Sequence, residues 1–481
     1  MVSNKHYIWV YLITFVFIAI NALFISLEFF AFSILPLALL ILVFAFFALD
    51  KLILLIVFLT PLSVQLKEFI PHLEFGMNLP TEPLLLGVMF IFFLKLIHEK
   101  KFDKKILYHP VSIAIYFNLF WIFITSITST LPVVSFKFFI SRLWFIIAFY
   151  FLATQLFVNI KNVKRYIWLF IFGFIIVIAY TLTRHIQFGL LNQKVAHWAP
   201  NPFFIDHTSY GAILAMCLPV LIGFAFNPCY STNRKILIWL LIPVFIFSIV
   251  FSYTRATWIS LIAAFFIWLC IKFKIKFRTL LLLGTILIIA LFMFKTEIMI
   301  NMELNKQDSS ADFGEHVKSM SNISSDASNL ERINRWNSAL RMFKEKPVFG
   351  WGPGTYMFNY GPFQFSYEKT IISTNAGDMG NAHSEYIGPL SESGVLGMLT
   401  FIFIIVATII TALKVYTKSN SKEIKIICIS ALIGLITYYL HGFLNNFLDT
   451  DKASVPFWGF TAIIVALDVY HRRMEENKIE N

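Results

Sequence analysis

Long apolar runs separated by short polar loops make up most of this 481-residue chain. A helix that crosses a bilayer needs about 20 mostly apolar residues. Fourteen runs come near that length, although the third and fourth are short. The pattern predicts an all-α polytopic integral membrane protein with about 12–14 transmembrane helices. The runs are 7–27, 29–49, 51–64, 82–97, 110–129, 137–159, 166–183, 209–226, 235–252, 256–272, 278–294, 394–415, 426–443 and 453–470.

One hydrophilic stretch, residues 295–393, interrupts this alternation. Apolar residues recur at helical spacing in its second half, which predicts an amphipathic helix over 330–346, ended by Pro347. We expect this helix on the membrane surface or at the mouth of the bundle, with Arg332 and Arg335 beside its apolar stripe. The stripe consists of Leu330, Ile333, Trp336, Leu340 and Phe343.

These features divide the chain into four predicted parts. They are an N-terminal bundle of about 11 spans (1–294), the long loop (295–393) with helix 330–346 and a polar segment 350–392, three C-terminal helices (394–470) and a tail (471–481). Residues 7–27 form too long a run for a signal peptide and lack a small-residue cleavage site, so they predict a first spanning helix.

Composition supports the membrane class. The chain is 58% hydrophobic and 14% charged, whereas soluble domains carry about 25% charged residues. The net charge of +12 could indicate nucleic-acid binding. However, 22 basic residues fall in alternate loops and only 6 in the short loops between them, which predicts cytoplasmic termini and an outer 295–393 loop, with no nucleic-acid partner.

The cysteines predict no metal or disulfide chemistry. No CxxC pair occurs, so neither a zinc site nor a disulfide framework is expected. The four, scattered in or beside apolar runs, are Cys217, Cys229, Cys270 and Cys428.

Two arginines lie where charge is costly, and such residues are candidates for function. Arg142 falls near the outer end of the sixth run, where snorkelling to the interface is the alternative interpretation. Arg255 lies in a tight outer turn between two runs, where its guanidinium could bind a lipid-linked phosphate bidentately. The alternative is an interface anchor beside Trp258, which is itself a candidate for substrate contact.

Further polar residues precede later runs. Asp206 and His207 stand just before the run at 209; they are candidates for substrate contact, although we favour a helix N-cap and an interfacial histidine. His383 and Glu385 are two residues apart, unlike the usual helical zinc pair, so no metal site is expected. His383 is instead a candidate for acid–base or hydrogen-bonding work.

A glycine-rich turn completes the set of candidates. Gly350, Gly352 and Gly354 surround Pro353 in a tight turn whose backbone N–H groups could face an anion. It matches neither a Walker loop nor a dinucleotide fingerprint, and a purely structural turn is the alternative.

Three segments in this order resemble the O-antigen ligase and O-antigen polymerase superfamily of bacterial membrane glycosyltransferases. They are "YTRATW", "RINRWNSALRMFKEKPVFGWGPGTY" and "HSEYIGPLSESGVLG", and with their connections they span roughly residues 200–415. The resemblance implies a fold similar to type C glycosyltransferases. It also implies inverting, nucleotide-independent transfer of a glycan from undecaprenyl diphosphate to an outer-face acceptor.

The resemblance also implies roles for particular residues. The arginine of the span-junction motif, the arginine of the loop helix and the histidine at the loop end match Arg255, Arg332 and His383. Arg335 is a less certain neighbour, and Arg142 matches a basic residue often found in an earlier span. Many members have asparagine where this chain has Ser384.

This interpretation predicts a mechanism and leaves alternatives open. Fixed arginines would stabilise the departing diphosphate. His383 would act as a base or hydrogen-bond the substrate, and Glu385 would orient or assist His383. The donor would be an undecaprenyl-diphosphate-linked glycan, and the acceptor lipid A-core or another glycan, in the bacterial inner membrane without a cofactor. A polymerase is the alternative within the family, a protein O-glycosyltransferase is less favoured, and a transporter or flippase is the alternative of another class.

Overall fold

A computed structural model describes residues 4–70, 76–99, 102–275, scattered positions between 278 and 294, 327–370, 373, 374 and 380–472. Helices dominate. They are α1 (Asn4–Ser26), α2 (Leu35–Phe47), α3 (Leu49–Leu59), α4 (Thr81–Glu99), α5 (Lys104–Leu107), α6 (Pro110–Ile127), α7 (Pro132–Ile146), α8 (Ala153–Leu156), α9 (Ile160–Phe188), α10 (Gln193–Trp198), α11 (His207–Ala225), α12 (Thr232–Phe251), α13 (Arg255–Lys272), α14 (Ala327–Glu345), α15 (Tyr356–Asn359), α16 (Ile387–Lys418), α17 (Lys422–His441) and α18 (Asp451–Ala466).

Short elements connect these helices. Strands β1 (Val64–Gln65) and β2 (Asn78–Leu79) pair antiparallel. Single 3-10 turns occupy Phe30–Ile34, Thr60–Leu62, Leu66–Glu68, Gly361–Phe363 and Ser366–Glu368, and π-helical turns occupy Ile147–Leu152 and Leu467–Arg472. The chain forms two compact units, Met1–Leu55 and Ile56–Asn481, and the candidate site lies within the second.

The all-α polytopic membrane class is confirmed. Within the described residues, 11 helices are long and apolar enough to cross a membrane. Of the 14 predicted runs, 29–49 and 51–64 instead form helices of 13 and 11 residues, too short by this measure. Most of the predicted run 278–294 lies outside the described residues.

Small residues allow the central helices of the second unit to pack closely, as is typical of membrane bundles. A Cβ on Gly223 of α11 would lie 1.8 Å from the Ser430 hydroxyl of α17. A Cβ on Gly434 would similarly lie 2.6 Å from the Met216 carbonyl oxygen. Helix α18 is the centre of the unit, since every one of its residues is buried.

The loop helix α14 lies where the amphipathic helix was expected, but its buried face is not the predicted apolar stripe. Leu330, Ile333 and Trp336 are half-buried and Leu340 is exposed. The buried face is instead formed by Glu331, Asn334, Arg335, Ser338, Ala339 and Met342. Ala339 and Met342 pack with Tyr356, Tyr360 and Ala382 in a small core within the loop.

Helix α16 contains a break that separates the loop from the span. Gly394 has φ +69°, and a Cβ there would lie 2.0 Å from the carbonyl oxygen of Val348. Only glycine fits both this conformation and this contact. Gly394 therefore allows the first turns of α16 to pack against the loop. The boundaries at 294, 393 and 470 remain predictions, and residues 295–326 and 473–481 lie outside the described residues.

Candidate functional site

The N-termini of α11 and α13 meet at one end of the bundle. Thr254, the residue before α13, donates its hydroxyl to the carbonyl oxygen of His207, the first residue of α11, at 3.2 Å. The approach requires Gly211, because a Cβ there would lie 2.7 Å from the Thr257 hydroxyl. Arg255 therefore begins a helix beside a second helix N-terminus, and both helix dipoles favour an anion at this point.

The Tyr253–Arg255 turn is held by Trp258. Tyr253 adopts a left-handed backbone with φ +51°. The Trp258 indole N–H donates to the carbonyl oxygen of Ile249, near the end of α12, at 3.0 Å. Trp258 thus stabilises the turn that positions Arg255.

Asp206 is the N-cap of α11, as one of the two sequence interpretations held. Its carboxylate accepts the backbone N–H of Thr208 at 3.0 Å and also the Thr208 hydroxyl. His207 Nδ1 lies 3.1 Å from the same carboxylate, and its ring stacks on His197 with centroids 4.2 Å apart. Burial alone would raise the pKa of Asp206, but the His207 and Thr208 contacts hold it below its usual range. Asp206 is therefore a carboxylate, too acidic to serve as a base.

Arg332 brings the loop helix to this point. Its Nε donates to the carbonyl oxygen of Leu444 at 3.2 Å, in the connection between α17 and α18. Arg332 lies close enough to Arg255 for the two positive charges to interact, and Asp206 lies close enough to act on Arg332. Residues far apart in sequence thus form one cluster with a surplus of positive charge.

His383 belongs to the same cluster. It is partly buried, and its backbone is left-handed with φ +47°, held by a hydrogen bond from its N–H to Asn381 Oδ1 at 2.9 Å. Strain of this kind occurs often at functional sites. Burial, then the charges of Arg332 and Arg335, lower the pKa of His383 to about 4. Its imidazole is therefore neutral near pH 7.

This pKa predicts a dependence of stability on pH. The unfolded chain binds a proton at His383 below about 6.5, whereas the folded protein does so only below about 4. The unfolded state therefore binds more protons in that window, and stability falls as the pH falls through it. We expect His383→Gln to lose less thermal stability than the wild type between pH 7 and pH 4.5, measured by thermal denaturation in detergent. Equal losses would contradict the environment described for His383.

Arg335 is enclosed by the loop, and its charge acts on His383. It is buried, its Nε donates to Glu331 Oε1 at 2.5 Å, and its guanidinium lies 4.0 Å over the Tyr360 ring. A Cβ at Gly380 would lie 1.6 Å from its Nη1. These contacts are all within the loop, and the substrate contact expected of Arg335 remains a prediction. Its i, i+4 spacing from Glu331 is the signal that could have revealed the ion pair.

Glu385 also serves within the protein. Its Oε1 accepts the Tyr438 hydroxyl at 2.6 Å and the N–H groups of Phe447 and Leu448 at 2.9 and 2.8 Å. Burial raises the pKa of Glu385, while nearby Arg142 opposes the rise. The carboxyl group therefore holds the connection 442–450 in place. The orientation of His383 by Glu385 remains a prediction.

The connection 442–450 was missed from the sequence, and it forms one side of the cluster. Arg332 contacts it at Leu444, and Arg142 donates from Nη1 to the Leu448 carbonyl oxygen at 3.3 Å. Asp449 is exposed there and lies within electrostatic reach of Arg142. The sequence signal that could have revealed this connection is the group of polar residues in "HGFLNNFLDTD", between two apolar runs.

The glycine turn is occupied by the protein itself. Gly352 and Gly354 have φ +114° and +74°, and the N–H of Gly352 donates to the Glu392 carbonyl oxygen at 2.7 Å. The Glu392 carboxylate accepts the N–H of Tyr356 at 2.9 Å. The group that accepts the Tyr356 N–H beside this turn is therefore an internal carboxyl group. The substrate contact expected of Gly352 and Gly354 remains a prediction.

Replacing Gly352 should destabilise the protein strongly. A Cβ there would lie 1.9 Å from the Ser129 hydroxyl, on a backbone that side chains rarely adopt. We expect Gly352→Ala to lower the free energy of unfolding by about 2–4 kcal/mol. Gly87→Ala is the matched control, because Gly87 is helical with open space around its Cβ position. Thermal denaturation in detergent should show a large loss for the first variant only; equal melting temperatures would refute the packing described.

An apolar groove of about 1100 Å³ opens between α13, α16 and α17. Tyr386 and Phe443 line it at the end near the cluster, where their rings stack with centroids 4.2 Å apart. Lys274 and Lys425 line it near the other end of the same helices. Its walls are otherwise mainly aliphatic, so the groove suits a hydrocarbon chain whose polar end reaches the arginines.

No metal centre accompanies the cluster in the described part of the chain: no three His, Cys, Asp or Glu side chains there converge as a metal site.

Comparison with known protein families identifies a related family for the central part of the chain. Residues 236–402 match the family model described as O-antigen ligase. This match, over about a third of the chain, supports a relationship to the O-antigen ligase superfamily. The matched region of this O-antigen ligase-like chain includes Arg255, Arg332 and His383, whereas Arg142, Asp206 and the 442–450 connection lie outside it.

A relative by sequence adds no functional detail. Over 125 residues, 26% of this chain, the sequence is 25% identical to a Haemophilus influenzae protein described as uncharacterized. The aligned part covers 30% of that protein, so the chain spans under a third of the length of this curated relative. The family is one of membrane glycosyltransferase-like proteins that act on lipid-linked glycans, and the chain is a multi-pass membrane protein.

Proposed function

We propose that this protein is an O-antigen ligase-like glycosyltransferase that moves a glycan from undecaprenyl diphosphate to lipid A-core or another acceptor at the outer face of the bacterial inner membrane. The observation that carries the proposal is the convergence of Arg255 and Arg332 at two helix N-termini beside an apolar groove. A diphosphate with a hydrocarbon tail fits both halves of that arrangement. The basic loops support cytoplasmic termini and a periplasmic 295–393 loop.

The arginines would stabilise the leaving group. In an inverting transfer the acceptor oxygen attacks the sugar C1 while the C1–O bond to the diphosphate breaks, and that electron pair leaves with the diphosphate. Negative charge therefore grows on the phosphate oxygens in the transition state. Fixed guanidinium groups in a partly buried site stabilise this charge without reorganisation. We assign this to Arg255 and Arg332, with Arg142 supporting the 442–450 connection.

His383 would meet the acceptor hydroxyl. Its neutral imidazole can accept a proton or a hydrogen bond, but a pKa of about 4 makes it a weak base in the free protein. A bound diphosphate would offset the arginine charges that lower this pKa. We therefore propose that donor binding raises the basicity of His383, so that the base forms only when the donor is in place.

The apolar groove would take the polyprenyl chain. The end of the groove near the arginine cluster is lined by the neighbours of Glu385 and Leu444 in sequence. A polyprenyl chain lying in the groove would therefore place the diphosphate near Arg332. Transfer would need no nucleotide, because the activated sugar arrives on its lipid carrier.

A gene deletion with glycan analysis tests the proposal. A ligase deletion should leave long glycan chains on the lipid carrier, because chain growth continues while transfer stops. Single repeat units on the carrier would instead indicate a polymerase. Donor confined to the inner leaflet would indicate a flippase and would overturn the proposed transfer.

A further inference from the structure

A second site lies in a cleft of about 370 Å³ at the end of the bundle opposite the arginine cluster. The cleft is bounded by α5, the start of α6, the second half of α16 and the π-helical turn after α18. We propose that it binds an anionic glycerophospholipid, with the phosphate at two lysines and an acyl chain along α16. This inference is independent of the proposed glycan transfer.

The cleft is well separated from the candidate site. Helix α16 begins beside His383, and Lys414 lies 20 residues beyond the break at Gly394. At about 1.5 Å per residue, that distance is about 30 Å, the thickness of a bilayer core. A ligand in the cleft would therefore meet the opposite leaflet from a donor at the arginines.

The polar end of the cleft has a surplus of positive charge. Asp468 is buried and lies 3.6 Å from Lys414 Nζ and 3.5 Å from His109 Nε2. His109 caps α6 by accepting the Val111 N–H at its Nδ1, which leaves Nε2 to donate to Asp468. Lys105 is exposed and adds a second ammonium group to the lining. The lining thus contains two lysines and one carboxylate, which Lys414 and His109 already share, so an anion is the complementary ligand.

The apolar wall selects a lipid over a free anion. Phe403, Val406 and Ile410 line the cleft and are 45%, 42% and 61% exposed. Their spacing of three and four residues places them on one face of α16, above Lys414. A headgroup at the lysines would continue into chains along this face, as in basic pockets between transmembrane helices that bind anionic lipid headgroups.

Lipid binding to the purified full-length protein tests the inference. Phosphatidylglycerol should bind more tightly than phosphatidylcholine in native mass spectrometry and raise the melting temperature more. Each lysine should contribute about fivefold in affinity. Lys105→Gln is the main variant, because Lys105 is exposed and its loss leaves the fold intact. Lys414→Gln is the second, and Lys104→Gln is the control, since Lys104 is an exposed neighbour that does not line the cleft.

Three results would overturn the inference. Equal binding of the two lipids would remove the charge selectivity. An equal loss in Lys104→Gln would indicate a diffuse surface effect and not a site. Competition by glycerol phosphate at concentrations equal to the lipid would indicate a free-phosphate site with no use for the apolar wall.

Discussion

Arg332→Lys should reduce glycan transfer by about 100-fold or more while the protein remains folded. Arg332 places a planar guanidinium at the arginine cluster and anchors itself to the Leu444 carbonyl oxygen through Nε. Lysine keeps the charge but loses the fork that can hold the 442–450 connection and phosphate oxygens together. Losing one fixed donor to a developing charge typically costs 10²–10³-fold in rate. Transfer by purified variants, at matched expression, provides the measurement.

Arg341→Lys is the matched control for this prediction. Arg341 lies on the same helix but pairs with Glu368 and stacks over Phe365, away from the cluster. We expect its transfer rate to stay within a few fold of the wild type. Equal losses in the two variants would mean that α14 requires arginine for folding alone, and the assignment of Arg332 would be withdrawn.

His383→Ala should lower transfer by about 10²–10⁴-fold, the usual contribution of a positioned acid–base group. The loss follows because His383 places a neutral imidazole in the cluster, within electrostatic reach of Arg332. The measurement is the initial rate of transfer at saturating donor. His98→Ala, at the end of α4, should leave the rate unchanged.

A further variant separates the two roles of His383. His383→Asn retains a hydrogen-bonding side chain without a basic nitrogen. If His383 acts as base, this variant should be as slow as His383→Ala, and the acidic limb of the pH–rate profile should disappear. If it only hydrogen-bonds the substrate, the variant should recover much of the rate. Full activity in His383→Ala would exclude both roles.

The membrane fold could be predicted from sequence because its physical signal is local. A run of about 20 apolar residues has few stable alternatives in a bilayer, so most runs coincide with helices. The count of spanning helices was too high at runs 29–49 and 51–64, because the helices there are shorter than the apolar runs. The Asp206 cap was also predictable, since a cap acts on the next residues of its own helix.

The buried face of α14 could not be predicted from apolar residues. Such residues indicate a buried helix face only when the surface that the helix packs against is itself apolar. This helix packs against a polar loop, where Glu331 accepts hydrogen bonds from Arg335 and Thr370. Its buried face therefore contains charged and amide side chains. The half-exposed stripe of Leu330 and Ile333 points elsewhere.

Candidate residues were also separable only by their three-dimensional surroundings. Arg332 and Arg335 look alike in sequence, three residues apart on one helix. One reaches the cluster at Leu444, and the other is enclosed by Glu331 and Tyr360. Likewise Glu385 stands beside His383 in sequence yet faces the 442–450 connection. Which charge meets substrate is decided by long-range packing, which local patterns do not encode.

The central claim is that the arginine cluster catalyses formation of a glycosidic bond on a lipid-linked donor. The most direct measurement reconstitutes the purified protein in lipid nanodiscs with an undecaprenyl-diphosphate-linked glycan and a lipid A-core acceptor, without nucleotide, and detects the glycosylated acceptor by mass spectrometry. We predict product with the wild type and with Arg341→Lys, and about 100-fold less with Arg332→Lys. An intact donor in the presence of folded wild-type protein and every candidate acceptor would contradict the account.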